Sequence, residues 1–293
     1  MNIGRAKIAL IIAFLGLNLF LTYSLLQPGY KGIQASALPA EELRRIEKFI
    51  QKANYILDIP LDRAARTGTF ITVAPYRVKR SQVAGEAYSV VSGEQADIYY
   101  CPGKQVKFYP GGRVKIHYIS GIALDRPGAG TAEELQPQVE TFLRENLNFQ
   151  QFKFDLIQEG SSGERIITYT QNIEGLSLYS SYIKVTVTGE RINSVDLFWL
   201  EPLKRPQERP MKIIPAAEAV LRLVEELGPS DHPCHIIRLD LGFYSQEYEA
   251  EQWDVPPVWR IIIDGQHTYY INAFTGHLEN SMNINEENGP SKF

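Results

Sequence analysis

The stretch from Ile8 to Leu26 holds 19 residues without a single charge, following a basic tail with Arg5 and Lys7. At 1.5 Å per residue this is about 28 Å of helix, close to the ~30 Å hydrocarbon core of a bilayer. The remaining pattern is that of a folded unit. Leu43, Ile46, Ile50 and Ala53 recur at helical spacing after Pro39, with Glu41 and Glu42 in the first turn. A second helix is expected from Thr131, where Thr131 and Glu134 form a capping box and Leu135, Val139, Phe142, Leu143 and Leu147 share one face. A third begins at Pro215, presents Ala217, Val220, Leu221, Val224 and Leu227, and stops at Gly228-Pro229. Between and after the helices the period changes to two. Phe152, Phe154 and Leu156 alternate with polar residues, as do Ile183, Val185 and Val187, and Trp259, Ile261 and Ile263 form one face of a later strand.

The second and third helices head similar units. Their starts at Thr131 and Pro215 lie 84 residues apart, and the segments from Tyr182 to Gly189 and from Tyr269 to Gly276 match in Tyr, Thr and Gly at an offset of 87. A helix followed by an antiparallel meander buries one sheet face beneath it. The expected fold class is therefore α+β: a transmembrane helix, then a two-lobed extracytoplasmic domain of helices on antiparallel sheets. The expected divisions are a cytoplasmic tail at 1–7, the membrane helix at 8–26, a first lobe at 27–127, and a second lobe at 128–293 with halves at about 131–205 and 213–283.

Charge orients this arrangement. Basic residues precede the span and acids follow it, which places the N-terminus in the cytoplasm and the bulk outside. Ala35-Ser36-Ala37 has the form of a signal-peptidase site, but the apolar run exceeds the roughly 7–15 residues of a signal core, so a retained single-pass anchor in the bilayer is expected. Without Arg5 and Lys7 the formal net charge of −4 becomes −6, and no basic stripe points to nucleic acid. Two cysteines, Cys101 and Cys234, do not make a disulfide scaffold.

Chemistry is sparse. G-x-S-x-G, Walker, H-E-x-x-H and C-x-x-C motifs are absent, and no pair of carboxylates stands out for acid–base work. Neither an enzyme, nor a cofactor, nor a metal site is expected. Asp231-His232-Pro233-Cys234-His235 holds zinc-ligand residue types, but Pro233 splits them and they read as a polar turn entering a strand. Partner binding is the better-supported class. In the anchor, Ala9, Ala13 and Gly16 form a small-residue face that admits a second helix, while Asn18 and Thr22, one turn apart, offer hydrogen bonds that lipid cannot answer. Outside the membrane, an acidic aromatic segment with Tyr244, Tyr248 and Trp253 has the composition of a protein interface; folding back of Tyr248 and Trp253 onto the sheet is the alternative.

The basic tail and the anchor sequence IIAFLGLNLFL (residues 11–21) resemble the start of YycI proteins. The resemblance continues through YTQNIEGLSLYSSYIKV (169–185) and PVWRIIIDGQHTYYINAFTGHLE (257–279), the latter also similar to the strand-turn end of PepSY-type modules. Together with YycH, YycI proteins are membrane-anchored regulators of the WalK (YycG) sensor histidine kinase. The resemblance thus implies a non-enzymatic regulator whose partners are a YycH-like protein and a WalK-type kinase, with the helix contact mapping onto the anchor and Asn18. The alternative is a PepSY-like module that restrains a secreted or surface protease.

Overall fold

Apolar spacing at helical period becomes helix α1 (Ala40–Lys52), which buries Ile46 and Ile50, a gain of roughly 1.5–3 kcal/mol for each side chain. Short strands β1 (Tyr55–Leu57), β2 (Arg66–Gly68) and β3 (Ile71–Pro75) follow, then one helical turn, α2 (Arg80–Val83). The chain continues through β4 (Ser89–Ser92), β5 (Asp97–Cys101), β6 (Lys104–Phe108) and β7 (Val114–Ala123). Helix α3 (Ala132–Asn146) precedes β8 (Phe152–Glu159), β9 (Glu164–Ile173), β10 (Leu176–Thr188), β11 (Arg191–Phe198) and β12 (Leu200–Leu203). After β13 (Met211–Ile213) come helix α4 (Ala216–Leu227) and strands β14 (Cys234–Phe243), β15 (Trp253–Val255), β16 (Pro257–Ile263), β17 (His267–Asn272) and β18 (Leu278–Asn283).

This is a computed structural model, and it describes residue 14 and residues 37–124, 132–147, 150–160, 163–203, 209–246 and 250–283. The chain divides into two units, residues 1–36 and 37–293; of the first, only Phe14 is described. Among the described residues no helix is long and apolar enough to cross a membrane. The expected span at 8–26 lies outside them apart from Phe14, as does Thr131 of the expected capping box.

The second unit is α+β and dominated by sheet. Thirteen of its described strands build one sheet whose main path runs β18-β17-β16-β14-β10-β11-β7-β6-β5-β4, with β1 on β14 and the β8-β9 pair on β10 as branches. Helix α3 is followed by the antiparallel meander β8-β9-β10-β11, and α4 by β14-β16-β17-β18. Strand β7 pairs with β11, so the sheet passes from residues before 127 to residues after it without a break. Leu135, Val139, Phe142 and Leu143 of α3 share a core with Ile116, Ile167, Val185 and Val195. Val220, Leu223 and Val224 of α4 share another with Ile46, Ile50, Trp259, Ile261 and Ile271. The buried face of α4 is wider than its expected stripe, because the helix meets both the sheet and α1. Leu223 is buried, Leu221 half-buried, and Leu227, at the last turn before Gly228, is exposed.

The two meanders join in parallel, where only antiparallel sheet was expected. Ser177 and Leu178 at the start of β10 pair in parallel with Gly242 and Phe243 of β14. From Tyr182 onward, β10 pairs instead with β11, and its register with β9 jumps between Leu178 and Tyr182. Pairing between distant segments leaves no local periodicity, so the pattern of residues carries no trace of it. The bulge is closed by side chains: Ser181 Oγ donates to Gln171 Oε1 at 2.9 Å and accepts from the Leu200 amide at 3.0 Å. A three-stranded sheet, β12-β3-β15, covers the fork, over a core of Val73, Leu178, Phe198, Leu200, Phe243 and Val255.

Gly242 is required at this join. A Cβ there would stand 2.5 Å from the Tyr179 ring and 2.6 Å from the Ser177 carbonyl oxygen. Gly242→Ala is expected to destabilise the fold by about 1–3 kcal/mol through overpacking, read as a lowered urea midpoint at unchanged m-value. An unchanged midpoint would show that β10 and β14 separate easily.

Candidate functional site

The expected anchor contacts Ala9, Ala13, Gly16, Asn18 and Thr22 lie outside the described residues. So does Tyr248. Of the acidic aromatic segment, both described ends turn inward. Tyr244, just past β14, is 3% exposed and stacks on Tyr270, ring centroids 4.0 Å apart and planes 4° from parallel. Its hydroxyl accepts a hydrogen bond from Asn280 Nδ2. Trp253 opens β15, pairs with Val73 of β3, and donates from Nε1 to Ser245 Oγ at 2.8 Å. Next to it, Asp254 accepts from Thr72 Oγ1 at 2.7 Å. These residues close the small sheet over the fork, so Tyr244 has no face at the surface and Trp253 only part of one.

Beneath Tyr244 lies a buried charged cluster. Arg260 of β16 is 2% exposed. Its neighbours in sequence, Trp259 and Ile261, face the α4 core, so strand alternation turns Arg260 to the opposite face. That face is covered by the first meander. The β8–β9 register slips between Phe154 and Leu156, which frees Asp155 to leave the ladder and reach across. Asp155 accepts from both terminal nitrogens of Arg260, at 2.5 and 2.8 Å, the two-pronged geometry that suits a guanidinium and a carboxylate. Arg260 also donates to Asp240 at 2.8 Å, and Arg238 meets both acids, Asp155 at 3.3 Å and Asp240 at 2.7 Å. The guanidinium carbon sits 4.1 Å from the Tyr179 ring centroid, a cation–π contact in a dry setting.

The electrostatics follow from this geometry. Burial is the largest single influence on the Arg260 guanidinium and pulls it down, but the hydrogen bonds it donates to Asp155, together with the charges of Asp155 and the tyrosines around it, hold the group above its ordinary range. Burial drives the hydroxyls of Tyr179 and Tyr270 upward, against the opposing pull of Arg260. The cluster is therefore two arginines and two aspartates packed against the rings of Tyr179 and Tyr270. It ties one meander to the other. Sequence reasoning did not find it, although a signal was present: Val258 to Ile263 is apolar at five of six positions, the mark of a strand buried on both faces, and an arginine inside such a strand needs a buried acid.

The turn before β14 is polar, as expected. His235 Nδ1 stands 3.0 Å from Asp58, and Cys234 Sγ lies 3.2 Å from Ser230 Oγ. Among the described residues no group of three His, Cys, Asp or Glu side chains is placed to hold a metal. Cys101 is buried, Cys234 half-buried, and both are free thiols.

One surface feature had no counterpart in the sequence reading. Strand β4 ends the sheet path, and every residue of Ser89-Val90-Val91-Ser92 is exposed, beside an exposed Tyr88. It carries no charge and no proline, the usual guards of a strand edge, so its outer backbone groups are a template for another strand.

Comparison with known proteins gives a family. The family described as YycI protein matches residues 78–274. No curated protein matches the sequence. Among solved structures, an uncharacterized protein from Eubacterium rectale ATCC 33656 superposes with a TM-score of 0.50 at 9% identity, over 78% of this chain and 91% of that one. The C-terminal domain of YpeB from Bacillus megaterium gives 0.37 at 12% identity, over 70% and 93%. YycH from Bacillus subtilis gives 0.46 at 10%, over 78% and 54%. The likeness to the Eubacterium rectale protein is one of fold.

Proposed function

The chain belongs to the YycI family, and from that premise we propose that it is a non-enzymatic, membrane-anchored regulator of a WalK (YycG)-type sensor histidine kinase, acting with a YycH-like partner. The observation that carries this reading is the family match, which spans the sheet from before β4 to the end of β17. In this reading residues 8–26 cross the cell membrane once, residues 1–7 face the cytoplasm, and the α+β unit lies outside. The helix-then-four-strand order of both meanders supports regarding them as PepSY-like units. The helix pairs with membrane spans of the partners through Ala9, Ala13 and Gly16 on one side and Asn18 and Thr22 on the other. Outside the membrane the contact is at the open β4 edge, where backbone groups accept an extended segment of the YycH-like partner.

The test is co-purification from membranes after crosslinking, scored for the kinase and the YycH-like protein, in wild type and in anchor variants. Asn18→Leu removes an interhelical hydrogen-bonding group worth roughly 0.5–2 kcal/mol, and Gly16→Leu blocks close approach. Both variants should reach the membrane at normal levels, recover several-fold less partner, and shift kinase output. If these variants and a polyleucine span all behave as wild type, the helix is a passive tether. If neither partner is recovered with wild type, the regulator reading itself fails.

A further inference from the structure

A cavity at the end of α3 is unused by any of this. It measures about 280 Å³ and lies between the segment 76–83, the last turn of α3, and strands β10 and β11. Ile183, Leu197 and Trp199 line it and also belong to the core beneath α3, so the inner wall of the cavity is that core. The Tyr76 ring continues the wall, its centroid 4.3 Å from that of Trp199. Trp199 is only 8% exposed, yet its indole N–H has no acceptor among the described residues. Buried N–H groups are nearly always paired, so the acceptor is expected to belong to whatever fills the cavity. Gln82, Glu145 and Asn146 bring the other polar side chains to the lining. Glu145 is its one charged residue; it is exposed, and it has no ion-pair partner among the described residues. The last carbonyls of α3 add partial negative charge on the same side. Arg144, in that turn, does not line the cavity.

An apolar recess with aromatic walls, one carboxylate and no base is chemistry that suits an organic cation. We propose that this cavity binds a small amino alcohol, its ammonium beside Glu145 and its oxygen accepting from the Trp199 indole. An anion is disfavoured by Glu145 and the helix end, which no cation in the lining offsets. Water alone answers the indole but leaves the apolar walls unfilled. The volume lies at the small end of ligand cavities, which run from about 300 Å³ upward, so the body of the ligand is short. The site stands apart from the regulator reading, and its test does not depend on a kinase or a second protein.

The experiment titrates the full chain, purified in a maltoside detergent and an amine-free buffer at low ionic strength, with choline by calorimetry. Saturable one-site binding is expected, with a Kd at or below about 1 mM. The neutral carbon isostere of choline, with tert-butyl in place of trimethylammonium, should bind about tenfold more weakly. Glu145→Gln should weaken choline roughly three- to tenfold at an unchanged thermal midpoint, and leave the affinity for the neutral isostere as in wild type. Of the three tryptophan indole N–H resonances, the one missing in Trp199→Phe should move on saturation with choline. Non-saturable heats, equal binding of the isostere, a wild-type affinity in Glu145→Gln, or an unmoved Trp199 resonance overturns the proposal.

Discussion

Replacing Asp155 with alanine is expected to lower the unfolding free energy by about 3–5 kcal/mol, because it strands a buried guanidinium without its carboxylate. Arg260 is 2% exposed and has nowhere to turn for water. Asp240 still faces one of its terminal nitrogens, but Asp240 is a third exposed and already shared with Arg238. For a folded unit of this size the loss corresponds to a fall in Tm of roughly 6–20 °C. The paired change Asp155→Leu with Arg260→Met removes both buried charges together and should recover most of that loss, as apolar replacement of a buried pair commonly does. The contrast between single and double variants separates two explanations. A costly single and a mild double identify the pair as a device for holding the meanders in one arrangement, and a single variant losing under 1 kcal/mol shows that the seam does not depend on it. The readout is chemical denaturation, with the m-value checked for loss of two-state behaviour.

The elements whose cause is local were legible in the residues, and those whose cause is distant were not. Helix α1 and the stripe Leu135, Val139, Phe142 and Leu143 of α3 follow from spacing alone, because a helix shows its buried face at every turn. The strand carrying Ile183, Val185 and Val187 likewise follows from alternation. Tyr244 illustrates the other case. Acids around it suggested a surface loop, but Tyr270, 26 residues on in the sequence, supplies the ring that draws it inward. Asp155 is harder still. Nothing beside it in sequence marks the register slip that projects it from β8, since the slip exists only against β9. The expected anchor at 8–26 lies outside the described residues apart from Phe14, and its expected contact faces rest on helical periodicity alone.

Raising the pH above about 10 is expected to unfold the protein steeply, and the cause is a set of buried tyrosines. Burial pushes the Tyr118 hydroxyl up to about 12. Tyr169, Tyr179 and Tyr270 are pushed further, each by burial first. Unfolded tyrosines ionise near pH 10. Above that value the unfolded chain releases protons that the folded chain keeps, so the unfolded state binds fewer protons and stability falls as pH rises. The contribution is therefore whole below pH 10, begins to vanish above it, and for Tyr118 is gone once pH passes about 12. Each fully protected tyrosine adds a slope of about 1.4 kcal/mol per pH unit, and four together reach roughly 5 kcal/mol per unit. Urea denaturation at a series of alkaline pH values checks the slope, while tyrosinate absorbance shows when the hydroxyls ionise. The buried fraction should ionise together with unfolding, after the exposed tyrosines have titrated. Lysines also titrate in this range, so Tyr270→Phe isolates the effect: it keeps the ring against Tyr244 and should flatten the slope by about 1.4 kcal/mol per pH unit. All sixteen tyrosines titrating near pH 10 in the folded protein would mean that the seam between the meanders is open to water.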